Sequence, residues 1–339
     1  MSRIWLPYVS AKSGADVFVA RLGRALSTAG YEPVVEAFEH RYQYAPHFLK
    51  GRCPPDVDLV LANSWNAFAF RRSGIPIVAY VLHCVSHRGY PGWKSRAQSI
   101  FHDEVVYRFE RSSLKHADAL VAISDSTRDE MIQEFGINSA TVIPLWVDTA
   151  RFSPQDEAIG HGGDRAKVLI VGNMSRRKGG DLIAPFCEAL GSQFEVTVVA
   201  GLRGKAPSIS ARGARLRFVS GLSESELIKA YRAADIVACL SRHEGFGYTA
   251  LEGMACSKPV VAFDVAGLRD VIRHGETGFL SPPENVLDMA ERCRSLVNFA
   301  GLAHDFGIAG RERAINVFDE KQAVDAYINL FNGLGVSRR

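Results

Sequence analysis

Residues 241–261, SRHEGFGYTALEGMACSKPVV, set two acids, Glu244 and Glu252, eight positions apart around Gly245 and Gly247. The apolar run DIVACL precedes them and reads as a strand. SRHEGFG then reads as a loop, and YTALEGMAC as the start of a helix, because Tyr248, Leu251 and Ala255 recur at helical spacing. Backbone amides at a helix start, with glycines permitting close approach, form an anion site suited to a phosphate. Glu252 lies about one turn into that helix and Glu244 in the loop before it. A carboxylate beside an anion site is unfavourable unless it holds something else, and sugar or ribose hydroxyls fit an acceptor-only group. On residues alone, a solvated loop acid and a helix-surface acid fit the same pattern.

Strand-loop-helix units of this kind run along the whole chain. IWLPY, PVVEAF, DLVLAN, PIVAYVL, ALVAIS and TVIPL read as strands, and their near-continuous apolar character suits a parallel sheet covered on both faces. Between the first two, Val17, Phe18, Leu22, Ala25 and Leu26 mark one stripe of a helix over residues 15–29, and Gly30 stops it. Residues 153–166, SPQDEAIGHGGDRA, interrupt the periodicity and read as an interdomain linker. The alternation restarts with KVLIVGN, FEVTVVA, RLRFV, DIVACL and PVVAF, and Ser223 with Glu226 fits a capping box. EKQAVDAYINLFNGL reads as a terminal helix with Ala323, Tyr327, Leu330 and Phe331 on a shared face. The expected fold class is α/β, with two Rossmann-like doubly wound domains facing across a cleft. Residues 1–155 are expected to form the first domain and 156–318 the second. Residues 319–339 form a helix that packs back on the first.

Bulk properties agree with this division and exclude several classes. A chain of 339 residues exceeds the usual span of one core, so two domains of about 150 residues are expected. With 47% hydrophobic and 23% charged residues it is an ordinary globular composition. A net charge of +3 falls short of a nucleic-acid-binding signature, and no nucleic-acid motif accompanies it. The 6 cysteines form no CxxC pair and several lie in apolar runs, which points to buried thiols. MSRIWLPYVSAKSG lacks the apolar core of a signal peptide, and no run approaches the ~20 residues of a membrane span. A cytoplasmic protein, at most peripheral at the inner face of the membrane, is expected.

The segment 241–280 as a whole resembles the donor-site signature of retaining GT-B glycosyltransferases of the family 4 type, the group 1 glycosyltransferases, with its E-x7-E pair at Glu244 and Glu252. VGNMSRRKGGDLI resembles the strand and basic loop that open the family's second domain. GLSESELIKAYRAADIVACLS resembles the segment leading into the acidic motif, and AISDSTRDEM and IPLWVDTARFSP occupy the usual order and spacing. The resemblance covers most of the chain and is strongest over 165–285.

It implies a nucleotide-sugar-dependent, metal-independent retaining hexosyltransferase with the following site. Glu252 holds the ribose hydroxyls of a UDP- or GDP-linked donor. Glu244, with the amides of Gly245, Phe246 and Gly247, holds the transferred sugar, and the amides of Tyr248 and Thr249 face the diphosphate. Lys178 matches the family's diphosphate-binding lysine and Arg177 takes the part of its arginine partner. His83, at the carboxyl end of a predicted strand, matches the histidine that contacts the transferring sugar; a structural histidine also fits there, and His87 is a weaker substitute. Gly14, in the first strand-helix turn, approaches the diphosphate or acceptor, although any α/β domain uses glycine at such a turn.

No cofactor and no metal is implied, since no DxD-like cluster stands near these residues. The acceptor is a glycan or a lipid-linked glycan of cell-surface polysaccharide or lipopolysaccharide synthesis. Residues 87–96, HRGYPGWKSR, mix Arg88, Lys94 and Arg96 with Tyr90 and Trp93, a composition suited to sugar stacking, to anionic headgroups, or to an ordinary exposed loop. Non-catalytic sugar-nucleotide binding and a GT-B epimerase are the alternative readings.

The chain departs from the family pattern at several points. Ser13 precedes Gly14 where two glycines are usual, Leu145 and Trp146 replace Asn-Gly, Ala266 replaces a first glycine, and Asn173 stands where arginine is common.

Overall fold

A computed structural model describes residues 1–11, 13–85, 94–154, 164–200 and 211–338. The chain divides into two compact units, Met1–Leu145 with Lys321–Arg339, and Trp146–Glu320.

The first unit holds β1 (Arg3–Val9), β2 (Glu32–Phe38), β3 (Leu59–Asn63), β4 (Ile77–Val81), β5 (Ala119–Ala122) and β6 (Thr141–Val142), in the order β2-β1-β3-β4-β5-β6. Every pairing is parallel. The central strands are fully buried, as their unbroken apolar runs require. Trp5 fills the space below β1, its ring edge-on to Phe70 at 5.1 Å.

The second unit repeats the plan with β7 (Ala166–Gly172), β8 (Phe194–Ala200), β9 (Arg215–Ser220), β10 (Ile236–Cys239), β11 (Val260–Phe263) and β12 (Gly278–Ser281), in the order β12-β11-β10-β7-β8-β9. These pairings are parallel too. Sequence reading missed β12, a short strand whose glycine Cα sits against the Val260 carbonyl, where a Cβ would come within 2.4 Å. The strand order reverses between β7 and β10, which pair through Val168 and Leu169 against Ile236 and Val237. Ligands of doubly wound sheets bind beyond the carboxyl ends of the strands at such a reversal.

Of the expected linker, residues 155–163 lie outside the described residues. The division into units falls earlier, between Leu145 and Trp146. Packing explains it. Trp146 is 1% exposed and its Nε1 donates to Glu320 at 3.0 Å, while Phe152 lies edge-on to Tyr231. The bulky pair in place of Asn-Gly is therefore a packing feature of the chain.

The helix Glu320–Gly333 continues into the first unit, where Phe331 is buried and meets Tyr31 edge-on at 5.7 Å. All 6 cysteines are free and buried. Among the described residues no helix is long and apolar enough to cross a membrane.

Replacing Phe331 by Ala removes a fully buried ring and is expected to lower stability by about 3–5 kcal/mol in denaturant unfolding. A cost below about 1 kcal/mol would show that this helix is not anchored as described.

Candidate functional site

The loops after β7 and β10 meet at the strand reversal. The β7 loop carries Ser175–Lys178, where the Ser175 side chain caps a short turn and Gly179 ends it with φ +73°. Gly179 has no room for a side chain, since a Cβ there would stand 2.1 Å from the Leu240 carbonyl oxygen. Gly180 is similarly pressed against Met174. The two glycines thus let the basic loop lie directly on the end of β10.

This packing brings Lys178 onto Glu244. The Lys178 Nζ donates to both carboxylate oxygens, at 2.7 and 2.6 Å. The side chains are only 21% and 14% exposed, so water screens the pair weakly. Arg177 stands at 3.9 Å from the same carboxylate and its Nη1 donates to the His243 carbonyl at 3.2 Å. Burial alone raises the Glu244 carboxyl, but the charges of Lys178 and Arg177 and the Lys178 hydrogen bond outweigh it and hold the group below its ordinary value of 4.5.

The helix Tyr248–Ala255 begins three residues after Gly245, with Gly247 as its N-cap in the left-handed region, φ +111°, and no side chain capping it. A Cβ on Gly247 would meet Leu268 at 2.8 Å. Its first-turn amides have no partner within the helix, so this end presents donors and the positive end of the helix dipole. Thr249 Oγ1 donates to the Val171 carbonyl at 3.2 Å, tying the helix start to β7.

Glu252 lies one turn along, 6% exposed, and accepts from the Tyr231 hydroxyl at 2.9 Å. Burial first, then the adjacent Glu252, pushes the Tyr231 hydroxyl well up, so it stays a neutral donor. A carboxylate has further lone pairs for a diol.

A small pocket, partly open to solvent, runs between these elements. Its lining includes Asn173, Lys178, Cys239, Glu244, Gly247 and Thr249. Asn173 Oδ1 is buried with no hydrogen-bond partner among the described residues. Burial pushes the Cys239 thiol up to about 12, which keeps it protonated and unsuited to nucleophilic attack.

Of the residues singled out in sequence, the structure thus gathers Arg177, Lys178, Glu244, Gly245, Phe246, Gly247, Tyr248, Thr249 and Glu252 onto two adjacent loops and one helix of the second unit. His83 and Gly14 belong to the first unit. His83 is half-buried two residues beyond β4, and Glu130, 7% exposed, accepts from the next amide, Cys84, at 3.1 Å. Gly14 is the exposed first residue of the helix Gly14–Thr28. In the loop before it, Asp16 accepts from Ser13 N at 2.9 Å, Ala11 N at 3.1 Å and Ser10 Oγ at 2.8 Å. His87 and most of the 87–96 segment lie outside the described residues.

Sequence reading missed three supports. Tyr231 holds Glu252 from a neighbouring helix. Gly267 presses on the acidic loop, where a Cβ would stand 2.5 Å from Phe246 N, and its amide donates to the Glu244 carbonyl at 3.1 Å. Arg242 binds the basic loop. Position inside the motif was the available signal for Arg242; the other two depend on tertiary neighbours.

Comparison with known proteins agrees with this geometry. Residues 152–313 match the family model described as glycosyl transferases group 1, and residues 41–151 match that of glycosyltransferase family 4. The chain belongs to the group 1 glycosyltransferases. It is 30% identical over 214 residues to a D-inositol 3-phosphate glycosyltransferase of Rhodococcus jostii, covering 57% of this chain and 47% of that protein. It is 28% identical over 291 residues to a glycogen synthase of Mycobacterium tuberculosis, covering 81% and 68%. The match thus spans about half the length of the inositol-phosphate enzyme.

Among solved structures, a sucrose-phosphate synthase from Thermosynechococcus elongatus superposes with TM-score 0.83 at 21% identity, covering 98% of this chain and 99% of that one. HepE of Anabaena, in complex with UDP and glucose, superposes with TM-score 0.76 at 17% identity, covering 98% and 100%. At these identities the likeness establishes the fold, GT-B, and no more.

Because the Glu244 carboxyl titrates lower when folded than when unfolded, its stabilisation is present above its ordinary value and is lost as pH falls through the folded one. Wild type is expected to exceed Glu244→Gln in unfolding free energy at pH 7, with the gap closing below about pH 4.5. A gap independent of pH between 7 and 3 would contradict the ion pair.

Proposed function

We propose that the protein is a retaining, metal-independent hexosyltransferase. It moves a sugar from a nucleoside diphosphate donor, UDP- or GDP-linked, to a hydroxyl of a glycan or lipid-linked acceptor in cell-surface polysaccharide synthesis. The observation that carries this reading is the Lys178–Glu244 contact beside the uncapped helix start at Gly247. Lys178, Glu244 and the helix start at Gly247 line one pocket, with Arg177 3.9 Å from the same acid, and that set suits a molecule with a diphosphate at one end and hydroxyls at the other.

In this reading Lys178 and Arg177 leave the carboxylate partly and face the diphosphate, while Glu244 accepts from sugar hydroxyls. The acceptor hydroxyl oxygen attacks the anomeric carbon from the face the phosphate leaves. The bond between that carbon and the phosphate oxygen breaks, and the acceptor proton passes to the departing oxygen. The nucleoside diphosphate gains negative charge as the bond breaks, and fixed cations and amides stabilise it where it develops. Arg177 and Lys178 supply the positive charge that a metal supplies in other transferases. Glu252 holds the ribose diol, oriented by Tyr231. His83 is assigned to the transferring sugar and Gly14 to the diphosphate or acceptor.

The reading is supported by family membership and by the structures of HepE in complex with UDP and glucose and with UDP-glucose. The enzyme works in the cytoplasm, peripherally at the inner face of the membrane if its acceptor is lipid-linked.

Thermal-shift screening against UDP-, GDP- and ADP-sugars identifies the donor, and one present at 100 times its dissociation constant stabilises by about 2.7 kcal/mol. With that donor, Glu244→Gln and Lys178→Met are each expected to fold and to lose transfer and donor hydrolysis by roughly 100-fold or more. Undiminished turnover in either variant would overturn the site assignment. Donor binding without any transfer or hydrolysis in wild type would point to a non-catalytic binder, and a changed nucleotide sugar without glycoside to an epimerase.

A further inference from the structure

Arg242 stands two residues before Glu244 and is 8% exposed. Its guanidinium meets Asp181 side-on, Nη1 to Oδ1 at 2.6 Å and Nη2 to Oδ2 at 3.0 Å. Its other edge meets Glu284, Nε to Oε1 at 3.1 Å and Nη2 to Oε2 at 3.1 Å. The Arg242 amide donates to the Arg177 carbonyl at 2.8 Å, and Nη1 donates to the Arg176 carbonyl at 2.5 Å. One residue therefore grips the basic loop at two carbonyls and at the acid three positions beyond Lys178.

Stability alone is a poor reason for such a cluster. Removing a guanidinium from water costs several kcal/mol, and apolar packing of the same volume serves a core as well or better. Glu284 also occupies the left-handed region, φ +64°, which disfavours a side chain. Orientation and charge account for the arrangement. Asp181 alone would repel a phosphate held by Lys178, and the bidentate contact cancels that charge. Arg177 and Lys178, on long flexible stems, are aimed only as well as their backbone is fixed, and Arg242 fixes the carbonyls of Arg176 and Arg177.

We propose that Arg242 is a positioning residue for the donor diphosphate, clamping the basic loop so that Arg177 and Lys178 face it while the charge of Asp181 is neutralised. This rests on the donor-site reading above.

Calorimetric titration with UDP, GDP and ADP and with uridine, guanosine and adenosine tests it on wild type, Arg242→Met, Arg242→Lys, Lys178→Met and the Arg242→Met/Lys178→Met double variant. For the nucleotide that wild type binds, both Arg242 variants are expected to raise the diphosphate Kd by about tenfold, with the nucleoside Kd unchanged. In the Lys178→Met background the Arg242 effect should shrink to about threefold or less, since the two act through one contact. Arg242→Lys keeps the charge and the stem and carries the test if Arg242→Met does not fold. Equal losses for nucleoside and diphosphate, full additivity, or unfolding of both Arg242 variants would assign Arg242 to general structure and overturn the proposal. A wild type that binds none of the diphosphates would instead overturn the donor reading beneath it.

Discussion

The close approach of two backbone loops at the reversal of strand order in the second sheet is the constraint on which the rest of the site depends. β7 and β10 are neighbours although β8, β9 and the helices Ile183–Leu190 and Glu224–Ala233 lie between them in the chain, and the loops they release must pass each other within van der Waals contact. Gly179 makes that passage possible, lying against Leu240 where a Cβ would not fit, and Gly267 lets the next helix press on the acidic loop. The resulting gap is narrow enough for the Lys178 ammonium to reach both oxygens of Glu244, at 2.7 and 2.6 Å. An exposed pair of this kind contributes little, but partial burial shields it from water and salt. The same burial makes the ammonium costly without an anion, and a bound phosphate satisfies that need as well as the carboxylate does.

Much of the scaffold was legible in the sequence because parallel strands buried on both faces must be continuously apolar. Eleven of the strands stood out in this way, and the short β12, GFLS, did not, since its pairing with β11 is fixed by tertiary contact more than by composition. The Ser223–Glu226 capping box is local chemistry and forms as read, Ser223 N to Glu226 Oε2 at 2.8 Å. The paired acids and the basic loop were legible through motif order. Their direct contact was not, because it depends on how two loops 66 positions apart pack. For the same reason Tyr231 and Gly267 escaped notice.

The departures from the family pattern acquire physical meanings of different kinds. Trp146 fills a buried space and donates to Glu320, so its change from the usual small residues is met by packing within the second unit. In the first strand-helix loop Asp16 accepts from the Ser13 and Ala11 amides, so those two donors are already engaged by the chain itself. Asn173 presents a buried oxygen with no hydrogen-bond partner among the described residues at the edge of the pocket. Arg177 and Lys178 are the loop cations nearest Glu244, and Arg242 fixes the backbone carbonyls of Arg176 and Arg177.

The central claim is that Lys178, Glu244 and the amides at the start of the Tyr248–Ala255 helix form one site for a nucleoside diphosphate sugar. A crystal structure with the nucleoside diphosphate chosen by binding tests it most directly. Phosphate oxygens are expected within about 3 Å of Lys178 Nζ and of the helix-start amides, with the ribose diol on Glu252. A nucleotide bound elsewhere, with the Lys178–Glu244 pair closed as before, would contradict it.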